Sequence, residues 1–197
     1  GLMSGPSDVQ EKIVTLTTPR SLIEDIATRR QHHIRPSKIL NHKRSQDTDL
    51  RIEIDGLIGE MAVCQYFGVR STPVNLENKP DGGYDLMIDG HTVDVKFSKH
   101  MSGDLCFKSK EYFKATRAIL VVPISSDYLE DEYPVVKLAG WVRQREFMER
   151  CLVHGEPATQ KQLWRTWHGA GMTQPTAKPK SCTECAYHYS PIHEVTT

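Results

Sequence analysis

No run of about eighteen consecutive apolar residues occurs anywhere in the 197-residue chain, so a membrane-spanning helix is not expected. Net charge is also missing: 25 Lys and Arg balance 25 Asp and Glu, leaving no overall field to draw the molecule to a polyanion. The opening "GLMSGPSDV" has neither the basic nor the apolar region of a signal peptide. Its Gly-Leu before Met reads as a tag remnant, and residues 1–18 as that remnant plus a flexible N-terminus. The expected location is the cytoplasm, or the host cytoplasm for a viral chain. Cysteine is scarce and odd in number, five in all with one Cys-x-x-Cys near the end, which argues against a disulfide framework and for thiols or a metal site. Internal repeats and long low-complexity segments are absent as well.

What is present, 38% hydrophobic and 25% charged residues, suits one globular domain large enough to bury a real core. Charge is unevenly placed. The stretch "RRQHHIRPSKILNHKRSQ", residues 29–46, holds six Arg or Lys, three His and no acid, whereas "DYLEDE", residues 127–132, is acidic. Arg29, Arg30, Arg35, Lys38, Lys43 and Arg44 could therefore track phosphates, although a solvated face is the ordinary fate of such a run.

Residues 19–33 read as a helix, with Ser21 as cap, Glu24 three positions later and an apolar side of Leu22, Ile23, Ile26 and Ala27. A second helix is expected from residue 48 or 49 to Phe67, closed by Gly68 in the left-handed conformation. Strands follow at residues 84–88, 91–98, 105–108, 118–124 and 135–142, then a helix over "QREFMER". Helices followed by a mostly β middle predict an α/β (α+β) domain, with helices packed on a mixed central sheet, over residues 19–150. Residues 151–197, rich in Gly, Pro, Thr and Lys, are expected to form a small loop-rich C-terminal appendage.

The stretch "YDLMIDGHTVDVKF" carries the most chemistry. Asp89-Gly90 suits a two-residue type I′ hairpin turn, which pairs Ile88 with His91, Met87 with Thr92, Leu86 with Val93 and Asp85 with Asp94. Alternation then puts Asp85, Asp94 and Lys96 on one side and Leu86, Ile88, Val93, Val95 and Phe97 on the other. Like charges directly opposite one another are destabilising, so compensation is required, from Lys96 alone or from Lys96 with a divalent cation. Glu60 is the one charged residue in the apolar segment "GLIGEMAVCQYFGV", where a carboxylate is costly unless paired or metal-bound.

Gly59-Glu60 on a helix ending "YFG", followed by "GGYDL" and "VDVKFS", resembles the PD-(D/E)XK phosphodiesterase superfamily over residues 56–99. The resemblance implies a restriction-endonuclease-like core and a metal-dependent nuclease, with DNA the expected substrate. The matching active-site positions are Glu60, Asp85, Asp94 and Lys96. Asp94 stands where Glu is commoner, and Asp81, after Pro80, rivals Asp85 for the second acid. On this reading Asp85 and Asp94 would hold Mg²⁺ or Mn²⁺ with the Val95 carbonyl, and Glu60 would complete the shell or hold a second ion. Lys96 would orient the attacking water or offset phosphate charge. Lys99 joins the basic run as a candidate nucleic-acid contact. Many members of the superfamily act as dimers, which makes a homodimer a further expectation. Two rivals stand beside it: an inactive nucleic-acid-binding protein on the same fold, and a zinc-containing interaction module whose acids are structural.

Cys151 and His154, in "CLVH", with Cys182 and Cys185, in "CTEC", have the spacing and donor types of a tetrahedral structural Zn²⁺ site. His168, His188 and His193 are alternative ligands. An iron–sulfur cluster would have to recruit Cys64 or Cys106.

Overall fold

Turn chemistry and hydrophobic period account for most of the elements that form. A computed structural model describes residues 12–34, 46–70, 83–107, 110–153, 187–189 and 195. In chain order these contain β1 (Lys12–Thr15), α1 (Arg20–Ile34), α2 (Gln46–Phe67), β2 (Leu86–Ile88), β3 (His91–Phe97) and β4 (Leu105–Phe107). A 3₁₀ turn (Lys110–Tyr112) precedes β5 (Arg117–Pro123), β6 (Val135–Arg143), α3 (Gln144–Arg150), β7 (Leu152–Val153) and β8 (Tyr187–Tyr189). Among the described residues no helix is long and apolar enough to cross a membrane.

The main sheet has the order β1-β6-β5-β3-β2, with β3 and β5 parallel and the other neighbours antiparallel. It is a mixed sheet with helices, as an α+β domain requires. β5 (RAILVVP) is buried from Ala118 onward, the pattern of a strand covered on both faces. One face packs Val93, Val95, Ile119, Val121, Val136 and Leu138 against α1 and α2. The other packs Ala118, Leu120, Val122 and Val142 under an aromatic cluster. In that cluster Phe107 stacks on Phe113 at 4.6 Å, and Phe147 of α3 meets both rings edge-on.

α2 is buried on every side from Leu57 to Cys64, because it lies between the sheet and α1. Gly59 permits the close approach: a Cβ there would sit 3.3 Å from Val95 Cγ1 and 3.6 Å from Phe97 Cβ. The helix ends as its sequence predicts, with Gly68 at φ 67° and the Val69 amide donating to the Cys64 carbonyl. At the other helix the expectation fails in detail. α1 starts at Arg20, and the Pro19 carbonyl accepts from the Leu22 and Ile23 amides, so Ser21 lies inside the first turn rather than capping it.

One expected boundary is corrected. Residues 12–15 are not a flexible terminus: β1 pairs with β6, buries Val14 and leads to buried Leu16. Gln65 clamps its end, accepting from the Thr17 amide (3.0 Å) and donating to the Thr15 carbonyl (2.7 Å). Of the C-terminal segment expected as an appendage, only residues 151–153, 187–189 and 195 are described. β8 pairs with both β4 and β7 in a second, three-stranded sheet, and Val195 is buried in the main core.

Leu57 is fully buried and Leu22 is 43% exposed. Leu57→Ala should cost about 2–5 kcal/mol in urea denaturation, and Leu22→Ala should stay within about 0.5 kcal/mol.

Candidate active site

The hairpin forms in the expected register, Leu86 with Val93, Met87 with Thr92 and Ile88 with His91. Asp89 and Gly90 take φ 49° and 78°, the two positive values that a type I′ turn needs. The ladder stops one pair short of Asp85 and Asp94. Asp85 leaves it at the Val93 carbonyl, to which its amide donates at 3.0 Å, and its carboxylate accepts the Val95 amide at 2.8 Å. A strand residue directs its N–H and C=O to the same side, so the Val95 carbonyl also points past the end of β2.

Asp94 and Lys96 lie on the face of β3 away from α2. Asp94 is 5% exposed, with Lys96 Nζ 3.1 Å from its Oδ1. The ammonium also sits 4.8 Å from the centre of the Phe107 ring and keeps a side open to solvent. Burial pushes the Asp94 carboxyl up to about 7; Lys96 opposes the shift, and Asp85 reinforces it by charge and by a hydrogen bond between the two carboxyls. Two carboxyls thus meet in one buried corner, and a proton held on Asp94 relieves their mutual repulsion.

Glu60 is elsewhere. It is 5% exposed, and its carboxylate pairs with Arg30 of α1, Nη2 to Oε2 at 3.1 Å, while Glu53 lies 3.8 Å from the same guanidinium. Its carboxylate is held by Arg30 between the helices, and among the described residues no three Asp, Glu, His or Cys side chains gather as a metal site would require. The reason is electrostatic: a carboxylate inside a helix–helix interface needs a counterion there. The signal was available in the sequence, because Ile23, Ile26, Ala27 and Arg30 share the i, i+3, i+4, i+7 stripe that α1 turns inward.

Arg30 is accordingly corrected from a candidate phosphate contact to a core cation, 1% exposed. Arg29 is exposed and lies 3.4 Å from Asp25. Lys99 is exposed too, and its charge acts on Asp55. Arg35, Lys38, Lys43 and Arg44 lie outside the described residues, as does Asp81. Of the zinc candidates only Cys151 can be placed: it is half-buried, and burial pushes its thiol up. His154, Cys182 and Cys185 fall outside the described residues.

One group escaped sequence reasoning altogether. The Tyr128 hydroxyl donates to Asp55 Oδ1 at 2.6 Å, with Arg51 and Lys99 nearby. Burial lifts Asp55 to about 6, against that hydrogen bond and the two cations. Tyr128 sits in the acidic "DYLEDE" stretch, whose charge hid a residue 2% exposed that packs on Phe97.

Comparison with protein-family models, with curated proteins and with solved structures finds no match to this chain.

Both raised carboxyls bind more protons folded than unfolded between their ordinary range near 4 and their folded values of about 7 and 6. Stability from these groups must therefore fall as pH rises through that window and level off above it. In chelator, Asp94→Asn should flatten the decline between pH 5 and pH 8, with a gain at pH 8 on the order of a few kcal/mol in urea midpoints. Arg30→Met should cost about 3–5 kcal/mol by stranding Glu60. Arg30→Met with Glu60→Gln should recover much of that loss in a double-mutant cycle.

Proposed function

We propose that the chain is a divalent-metal-dependent nuclease acting on DNA, with Asp85, Asp94 and Lys96 at its centre on a restriction-endonuclease-like core. The carrying observation is the meeting of two carboxyls, Asp85 and the buried, proton-holding Asp94, with Lys96 at 3.1 Å from Asp94 at the end of β2. The donor set fits a hard cation: two carboxylates and the adjacent Val95 carbonyl offer only oxygen, which suits Mg²⁺ or Mn²⁺. The resemblance of "GGYDL" and "VDVKFS" to PD-(D/E)XK nucleases supports the same reading.

Such a cation supplies a more acidic bound water and charge neutralisation on the phosphate. The protein's own groups do the rest. Asp85 locks the backbone by accepting the Val95 amide, so the second carboxylate and the carbonyl are presented from a fixed strand. Asp94 carries the proton that a cation would displace, which makes cation binding weaker below about pH 7. Lys96 is held by Asp94 and the Phe107 ring with its ammonium partly open, placed to offset charge on a bound phosphate or orient water.

Glu60, committed to Arg30, favours one second reading: a nucleic-acid-binding protein that keeps the fold without turnover. The structural zinc expected at Cys151, His154, Cys182 and Cys185 is a separate proposal, checked by metal analysis of the purified chain.

Incubation with single-stranded, duplex and branched DNA should give cleavage with Mg²⁺ or Mn²⁺ and none in chelator. Lys96→Ala and Asp94→Asn should each lower the rate by about a hundredfold or more. At pH 8 Mn²⁺ should raise the melting temperature of the wild type and leave that of Asp94→Asn unmoved. A chain that cleaves none of these DNAs, or a Lys96→Ala variant of undiminished rate, overturns the assignment.

A further inference from the structure

The sheet has a second charged feature, on its other face. β6 carries a bulge where it passes β5: Leu120 pairs with Gly140 and Val121 with Leu138, leaving Ala139 as the extra residue. The extra residue reverses the alternation, so Leu138 and Trp141 come to the same, α2-facing side. Arg143 follows two residues on, and the register places it directly opposite Arg117. Their guanidinium carbons lie 5.0 Å and 4.7 Å from the centre of the Trp141 ring. Beyond the end of α2 at Phe67 lies a cleft of about 120 Å³, floored by Val93 and Ile119, walled by Arg117 and Trp141 and lined also by buried Val195.

Like charges directly opposite across a ladder are destabilising. Arg143 is compensated by Glu146, which accepts from it at 2.7 Å. Arg117 faces the Trp141 ring and the His91 ring, whose Nε2 is 3.2 Å from its Nη2, and has no carboxylate in ion-pair range among the described residues. Asp89 lines the mouth of the cleft from the exposed hairpin turn without pairing with Arg117. A half-buried guanidinium fork beside a partly open tryptophan and an apolar floor is suited to an anionic oxygen group attached to something flat. The volume is well below the roughly 300–1,000 Å³ of a pocket for a whole small ligand. It has room for one flat group, with the rest of its unit outside.

We propose that this corner binds one nucleotide unit of a single-stranded stretch of nucleic acid, phosphate on Arg117 and Arg143 and base against Trp141. The inference rests on the nuclease reading for its location. His91 is three residues from Asp94 along β3, about 10 Å of strand. The two faces meet at the lip where Thr116 is bonded to Thr92, its amide donating to Thr92 Oγ1 at 2.9 Å. A strand seated at Trp141 can pass that lip to reach the Asp85 and Asp94 side.

The test is fluorescence anisotropy of a labelled oligothymidylate with the full chain in chelator, titrated over a range of salt, so that no cleavage is needed. Arg117→Gln should weaken binding several-fold and reduce the magnitude of the salt slope by about 0.7. Trp141→Ala should weaken binding by about tenfold with a smaller change in slope. Trp141→Phe should restore most of it, and melting curves should show each variant folded. Unchanged affinity and slope in folded Arg117→Gln and Trp141→Ala would overturn the proposal. So would binding of duplex alone, or a tryptophan response to inorganic phosphate without binding of the oligonucleotide. Arg117-dependent binding by a chain that never cleaves would defeat the nuclease reading and leave this one standing; cleavage with Arg117-independent binding would do the reverse.

Discussion

Keeping both faces of β5 dry is the constraint on which the other elements depend. A strand buried from Ala118 to Pro123 needs apolar cover on each side, and the chain supplies two unlike covers. α2 with α1 closes one face, and Phe107, Phe113 and Phe147 close the other. Because β3 is the parallel neighbour of β5, its own two faces inherit those surroundings. Val93 and Val95 go to the helices, while Asp94 and Lys96 are pressed toward the aromatic cluster. Desolvation of Asp94 is thus a consequence of how β5 is covered.

The molecule treats its buried acids in two ways. Glu60 is neutralised by Arg30 inside the helix–helix interface, a closed arrangement that costs stability if either partner is removed. Asp94 is met by a partly exposed Lys96 while the Asp85 carboxyl beside it pushes its proton affinity up. A closed pair contributes to holding α1 on α2. An open triad retains the capacity to take up a proton or a cation, and perturbed acids of that kind concentrate at functional sites. The contrast gives the hairpin the stronger claim to chemistry and Glu60 the weaker.

Much of the fold was legible in the chain. The Asp89-Gly90 turn, the positive-φ Gly68 and the alternation of β3 are local properties, and each formed as read. β1 was not legible, since four residues with one buried side chain carry almost no periodic signal. The pairing of residues 187–189 with β4 depends on contacts across eighty or more positions, which no local pattern encodes. At the candidate site, the closeness of Asp85, Asp94 and Lys96 was legible because they belong to one hairpin. Tyr128 and Asp55 were missed because they are 73 residues apart.

The sequence by itself determined the hairpin's register and the side of the ribbon on which its acids lie, because turn dihedrals and the two-residue period are settled by neighbours in the chain. Only the tertiary structure decided that Glu60 belongs to Arg30, and that the bulge at Ala139 turns Trp141 toward α2. Both outcomes follow from which distant surfaces are buried together: a buried charge takes the partner that its interface provides, and a bulge is defined by the strand it fails to match.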